Sequence, residues 1–259
     1  MMPVKRWLEH PLTRGLSVDD PNTTSLRRRI IKEKSFLRQL YSEWYENIMR
    51  TIPTGNGLIL ELGSGAGFLS DYLPELITSE VFFCDGIRIV LDAQQLPFAD
   101  SCLRAITMVN VFHHLPAVRH FFREAARCVR PDGKIIMIEP WLTPWSQWVY
   151  QHLHHEPFIP EATQWEFASS GPLSGANGAL PWIVFSRDRF QFMEEFPEWR
   201  IAEIKLMMPF SYLISGGVSL RSFVPGLFYG FWRSMERLLT PYLPKLAMFA
   251  QITLQRTRP

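Results

Sequence analysis

The chain of 259 residues has little cysteine, almost no net charge and no long apolar run. Its 3 cysteines, Cys84, Cys102 and Cys128, stand far apart and match no metal or redox spacing. Reduced thiols in a cytosolic protein are therefore expected rather than a disulfide framework. With 27 basic and 25 acidic residues the net charge is +2, which implies no strong polyanion partner. Basic residues cluster only locally, at Arg27 to Arg29 and near the C-terminus, so no nucleic acid partner is expected. The longest uncharged stretch, near 168–186, is broken by glycine, proline and serine, and the apolar stretch 206–220 contains Pro209 and Gly216-Gly217. Neither supplies the ~20 apolar residues of a membrane span. The opening MMPVKRWLEHPL lacks the continuous apolar core of a signal peptide. A cytoplasmic protein is expected, with peripheral membrane contact left open and the oligomeric state undetermined.

What the chain does have is aromatic residues, 14% of the total with 9 Trp and 19 Phe, weighted toward its second half. Its length accommodates one α/β domain with additions. The organising stretch is LILELGSGAG at 58–67. Leu58 to Leu60 read as a buried strand. Gly63, Gly65 and Gly67, with Ser64 among them, read as the turn leaving it, where the backbone can lie against a ligand. Phe68, Leu69, Tyr72 and Leu73 then recur at helical spacing. Strand, glycine turn and helix place a nucleotide-type ligand at the carboxyl end of the strand. The glycines are spaced G-x-G-x-G, not the G-x-G-x-x-G of a dinucleotide site, and Glu61 stands two residues before the first. A carboxylate there repels a pyrophosphate and suits a ligand carrying positive charge. S-adenosylmethionine carries a sulfonium and an ammonium and no phosphate, and the stretch resembles motif I of the class I S-adenosylmethionine-dependent methyltransferases.

Further motifs follow in order. Residues 80–85, EVFFCD, read as a second strand whose terminal Asp85 suits the hydroxyls of a ribose. Only Gly86 to Arg88 separate it from the next apolar run, so the usual intervening helix is missing. The run DAQQLPFADSCLRAITMVNVFHHL from Asp92 is similar to the small-molecule branch of the family, although Leu103-Arg104 replaces its usual phenylalanine-aspartate. The resemblance implies that Asp92 accepts from the adenine amino group, that the Ala93 backbone meets the ring, and that the backbone at Asn110 holds the methionine ammonium. Residues 117–130 read as an amphipathic helix, Pro131-Asp132-Gly133 as a turn, and KIIMIE as the fifth strand. The resemblance covers roughly residues 36–140.

The family fold is a Rossmann-like, doubly wound α/β sheet of seven strands, six parallel and an antiparallel seventh. Its remaining pieces are found at Arg187 to Phe196 (helix), Arg200 to Met207 (sixth strand) and Ala247 to Leu254 (seventh). The division expected is an N-terminal arm and helix at 1–50, with the helix from Ser25 to about Met49, and a cofactor-binding core at 51–140. A cap insertion at 141–185 follows. The rest of the core, 186–259, carries a second aromatic-rich insertion at about 209–245. The two insertions are expected to build the acceptor pocket. In HLHHEP at 152–157 the spacing is loose for a metal, and none is expected. The expected activity is methyl transfer from S-adenosylmethionine to a small, apolar or lipid-like acceptor, with an oxygen nucleophile favoured. His113, His114, His152, His154 and His155 are the base candidates. A nicotinamide-dependent oxidoreductase and a non-catalytic S-adenosylmethionine-binding protein are the alternatives.

Overall fold

The computed structural model describes residues 19–154, 156–169, 171 and 175–258. Seven strands form one sheet in the order β3-β2-β1-β4-β5-β7-β6. They are β1 (Leu58–Leu62), β2 (Ile77–Glu80), β3 (Ile89–Val90), β4 (Leu103–Val109), β5 (Val129–Pro140), β6 (Trp199–Met207) and β7 (Phe249–Arg256). β7 runs antiparallel to both β5 and β6, and the β3-β2-β1-β4-β5 pairings are parallel. This is the Rossmann-like, seven-stranded α/β fold, six strands parallel and the seventh reversed. The central strands read as near-continuous apolar runs because both their faces are covered: Ile135 to Ile138 and Ile59 to Leu60 are fully buried.

The main helices are α1 (Pro21–Glu33), α2 (Ser35–Thr51), α3 (Val118–Cys128), α4 (Pro144–Leu153), α5 (Arg189–Glu195) and α6 (Tyr229–Leu238). The single helix expected from Ser25 is two. Asp20 caps α1 by accepting from the Asn22 N–H at 2.8 Å, and Pro21 opens its first turn. Lys34 then leaves helical geometry and sends its ammonium to the carbonyls of Gly217 and Leu220, each at 2.6 Å. Burial pushes the Lys34 pKa down to about 8.

Three further expectations change. The helix after the glycine turn is replaced by short 3-10 turns at Ser64–Ala66 and Leu69–Asp71. Only six residues separate Gly67 from Pro74, and a proline disfavours helical geometry in the residue before it. The second strand lies at Ile77–Glu80 instead of 80–85. The apolar residues after it belong to a loop, where Val81 and Phe83 are exposed. The missing helix before β3 is borne out, with only residues 81–88 connecting the strands. The 187–196 helix begins earlier, as a helical run from Leu180 through a π-turn to Glu195.

Two aromatic clusters fill the layers between helices and sheet. Phe112, Phe121, Phe122, Phe185, Phe192 and Phe196 pack together around α3 and α5. Trp44 of α2 packs on Phe249 of β7 and stacks on Tyr212 of the second insertion at 5.9 Å. Within the described residues the second insertion is thus part of the core as well as an addition to it.

Candidate active site

A cavity of about 810 Å³ opens at the carboxyl ends of β1, β2 and β4, where ligands bind in open α/β sheets. The glycine loop forms its floor. Gly63 adopts φ +64°, and a Cβ there would stand 2.3 Å from Val111. At Gly65 a Cβ would meet Thr24 of α1 at 2.3 Å, so glycine is what lets α1 close over the loop. Thr23, Thr24 and Arg27 of α1 line the cavity above it.

Of the residues expected to hold the cofactor, Gly63, Asp92, Ala93 and Asn110 line the cavity. Asp92 stays exposed and accepts from the Gln94 N–H at 2.8 Å. Asn110 sits at the end of β4 in left-handed geometry (φ +56°), its N–H donating to the Ile138 carbonyl at 2.9 Å. Its side chain hydrogen-bonds the buried Tyr41 hydroxyl, whose pKa burial raises to about 12. Glu61 lies beneath the loop, off the cavity wall. Burial, opposed by Ser64 and by the charge of Arg28, raises its pKa to about 7. Ser64, Gly65 and Gly67 shape the loop from behind the wall that Gly63 and Ala66 form.

Asp85 is not brought to the site. It is exposed, and its backbone carbonyl accepts from Arg28 at 2.8 Å. The acid that ends β2 and lines the cavity is Glu80. Burial raises its pKa, opposed by hydrogen bonds from the N–H groups of Val81 (3.2 Å) and Gly65 (3.1 Å). Its signal was present as the acid closing ITSE, but the apolar VFF beyond it reads more strongly as strand.

At the other end of the cavity His113 and His114 follow β4 on a 3-10 turn. The His113 Nδ1 lies 2.6 Å from Glu139 on β5, a carboxylate that also accepts from the N–H groups of Val111 and Phe112, both at 2.8 Å. The His113 Nε2 lies 3.4 Å from Glu156 of the first insertion. Burial opposes charge on this imidazole, but the two carboxylates outweigh it and push the pKa up to about 9. Next to it, His114 is driven down to about 4 by burial and by the charge of His113. It is neutral, with Nδ1 3.1 Å from the Gly175 carbonyl and Nε2 3.8 Å from Glu156. One ligand atom each from His113, His114 and Glu156 lies within 4.8 Å of the others, close enough for one cation, although these groups already neutralise one another. His154 also lines the cavity, 3.9 Å from Glu156. His152 does not: it stacks on Trp148, and its Nδ1 faces the Trp148 carbonyl at 2.8 Å. His155 lies outside the described residues. Apolar walls come from Val149, Tyr150 and Phe158 of the first insertion and Tyr212, Leu213 and Val218 of the second.

Residues 60–137 match the family described as a methyltransferase domain. Over that stretch the match supports a class I S-adenosylmethionine-dependent methyltransferase domain. The likeness to individual proteins is thinner. A ubiquinone/menaquinone biosynthesis C-methyltransferase of Rickettsia prowazekii (strain Madrid E) is 25% identical over 126 residues, 39% of this chain and 51% of that protein. The 27-O-demethylrifamycin SV methyltransferase of Amycolatopsis mediterranei (strain S699) is 34% identical over 53 residues, 20% of each chain. The chain thus spans about half the length of the first relative and a fifth of the second. Among solved structures, the geranyl diphosphate C-methyltransferase of Streptomyces coelicolor A3(2) shares the fold at a TM-score of 0.52 and 13% identity, over 96% of this chain and 88% of that one. A methyltransferase solved with the Haloferax volcanii Trm112 methyltransferase activator aligns at 0.52 and 14% identity, over 94% and 98%.

Proposed function

We propose that the protein transfers a methyl group from S-adenosylmethionine to a small, largely apolar acceptor, with an oxygen nucleophile favoured. The observation that carries the reading is the state of the glycine loop. The Gly65 N–H, which a phosphate would need, is already taken by the Glu80 carboxylate, and no helix follows to offer its N-terminus. The loop rejects a pyrophosphate and speaks against the nicotinamide-dependent alternative. The residues fit a phosphate-free adenosyl ligand. Asp92 offers an acceptor to an adenine amino group, Glu80 offers lone pairs to ribose hydroxyls, and Gly63 leaves room for a backbone-close chain. Arg27, the one Arg or Lys among the described lining residues, suits an α-carboxylate. Bound there, the cofactor supplies an electrophilic methyl already activated by its sulfonium.

The chain's own residues then place the nucleophile. The apolar walls of the two insertions hold the acceptor and exclude water, so the reacting atoms meet in a fixed geometry. His113 is charged and braced by Glu139 and Glu156, which suits it to orient a polar group. His114, neutral and facing the cavity with Nε2, is the base for a hydroxyl proton, with Glu156 beside it to stabilise the imidazolium that forms. His154 is the second candidate.

The test is ligand-dependent stability. Saturating S-adenosylhomocysteine raises the thermal midpoint, the gain reaching about 2.7 kcal/mol at a hundred times Kd. Stabilisation by NADH with none by S-adenosylhomocysteine reverses the assignment. Cofactor binding without turnover on any apolar hydroxyl compound favours the non-catalytic alternative.

A further inference from the structure

Helix α6 is mounted inside out. A surface helix in water normally turns its apolar stripe to the core and its charges to solvent. Here Tyr229, Arg233 and Glu236 face the protein. The Tyr229 hydroxyl donates to Glu43 of α2 at 2.6 Å, and Arg233 grips the same carboxylate through Nε (2.9 Å) and Nη2 (2.5 Å). Arg233 also pairs with Glu236, which is only 4% exposed and accepts from the N–H groups of Phe210 and Ser211 at 2.8 and 2.6 Å. The opposite stripe, Phe231, Met235 and Leu238, points outward, with Phe231 62% and Leu238 70% exposed. Leu227 in the preceding turn is 79% exposed, and Phe223, Phe228 and Tyr242 of the same segment are exposed as well.

We propose that this face docks the protein on an anionic phospholipid surface. Three observations select that occupant. The polar face is pinned by a half-buried ion-pair network around the buried Glu236, so the helix cannot roll over to hide its apolar stripe. Across residues 208–247 the sole acid is Glu236, which is buried, while Arg221, Arg237 and Lys245 are exposed. An apolar face whose own segment exposes cations and no acid matches the interfacial helices that sink into the headgroup boundary of anionic membranes. A second copy fits badly, because a two-fold contact through this face brings like charges together. The patch is also joined to the cavity along the chain: the segment leading into it supplies Tyr212, Leu213 and Gly216 to Leu220 of the wall. Docking therefore faces the acceptor end toward the lipid, and the acceptor class is a membrane-resident amphiphile. That last step rests on the methyl-transfer reading; the docking does not.

The experiment is flotation of the full chain with phosphatidylcholine vesicles, with and without phosphatidylglycerol, in the absence of cofactor and acceptor. The wild type is expected to float with phosphatidylglycerol vesicles and to be released by high salt. The double variant Phe231→Ser/Leu238→Ser is expected to partition about tenfold or more weakly, with an unchanged thermal midpoint because both side chains lie in solvent. Arg237→Glu/Lys245→Glu is expected to lose the preference for anionic vesicles. Wild type left at the bottom of the gradient overturns the proposal, as does a serine variant that floats equally well. So does a solution dimer that the serine variant dissociates, which assigns the face to a second copy. Flotation without S-adenosylhomocysteine binding upholds the docking and removes the enzyme reading; binding without flotation does the reverse.

Discussion

Two carboxylates on the cavity wall, Glu80 and Asp92, are held by different means, and substitution separates their roles. Asp92 is exposed and anchored only to its neighbour Gln94, so Asp92→Ala leaves the fold intact and removes one acceptor. A hydrogen bond to a charged group contributes about 1.5–3 kcal/mol, so S-adenosylhomocysteine affinity is expected to fall roughly ten- to a hundredfold in calorimetry. Glu80→Gln keeps the shape but weakens acceptance from the Gly65 N–H, so it is expected to reduce both affinity and thermal stability. Unchanged affinity in both variants puts the adenosyl group elsewhere. The histidine pair makes a prediction in pH. The folded pKa of His113, about 9, lies above the ordinary 6.5. The folded state then holds more protons than the unfolded between those values, so this contribution is full below about pH 6.5 and is lost as pH rises through about 9. His114 has the opposite sign: its folded pKa of about 4 means that acidification from 6.5 toward 4 protonates the unfolded chain first and destabilises the fold. Thermal midpoints across pH 4–9 are expected to dome, with His113→Gln flattening the alkaline limb and, because the His113 charge helps to lower His114, softening the acid limb as well. An unaltered alkaline limb in that variant contradicts the charged-imidazole assignment.

At the scale of elements, apolar continuity decided what could be read. Strands β1 and β4 and helix α3 are buried runs or clean helical stripes, and sequence periodicity locates them within a few residues; β5 is located too, but it starts at Val129, so the expected Pro131-Asp132-Gly133 turn lies within the strand. The EVFFCD window failed because an exposed apolar loop and a buried strand share one composition. The helix after the glycines failed because Phe68, Leu69, Tyr72 and Leu73 have helical spacing but too little chain before Pro74. The site was half legible. Asp92, Ala93, Asn110 and the His113-His114 pair stand next to recognisable strand ends. Thr24 and Arg27 of α1, Glu80, and the pairing of His113 with Glu139 and Glu156 depend on contacts between distant segments. Helix α6 shows the same limit, since an amphipathic pattern does not say which stripe faces the protein. Its anchoring is testable. Arg233→Ala leaves the buried Glu236 without its cation and leaves Glu43 only the Tyr229 hydroxyl, and a buried polar group stripped of its partner costs about 1–3 kcal/mol. Denaturant unfolding is expected to show that loss, with a control Arg237→Ala nearly neutral because Arg237 is exposed. Equal stability of the two variants contradicts the pinned orientation.

For the whole molecule, the sheet and the two insertions share one cavity of about 810 Å³, toward the upper end of the roughly 300–1,000 Å³ of small-molecule sites. Its wall differs in chemistry from part to part: Glu80, Asp92 and the glycine loop are polar, Tyr150, Phe158, Leu213 and Val218 apolar, and the histidines line it too. One ligand matching the polar part would leave the apolar part wet at a cost, whereas two ligands in contact satisfy both. Leu213→Trp tests that division, since the larger ring fills space at the wall that the second insertion supplies. Independent sites make substitutions nearly additive, so the Kd for S-adenosylhomocysteine is expected to change by less than about twofold. Binding of a fluorescent fatty-acyl probe is expected to be lost. The reciprocal variant, Asp92→Ala, is expected to weaken the nucleoside and leave the probe bound. If Leu213→Trp weakens both ligands alike, a single molecule spans the cavity, and the insertions hold the cofactor instead of a separate acceptor.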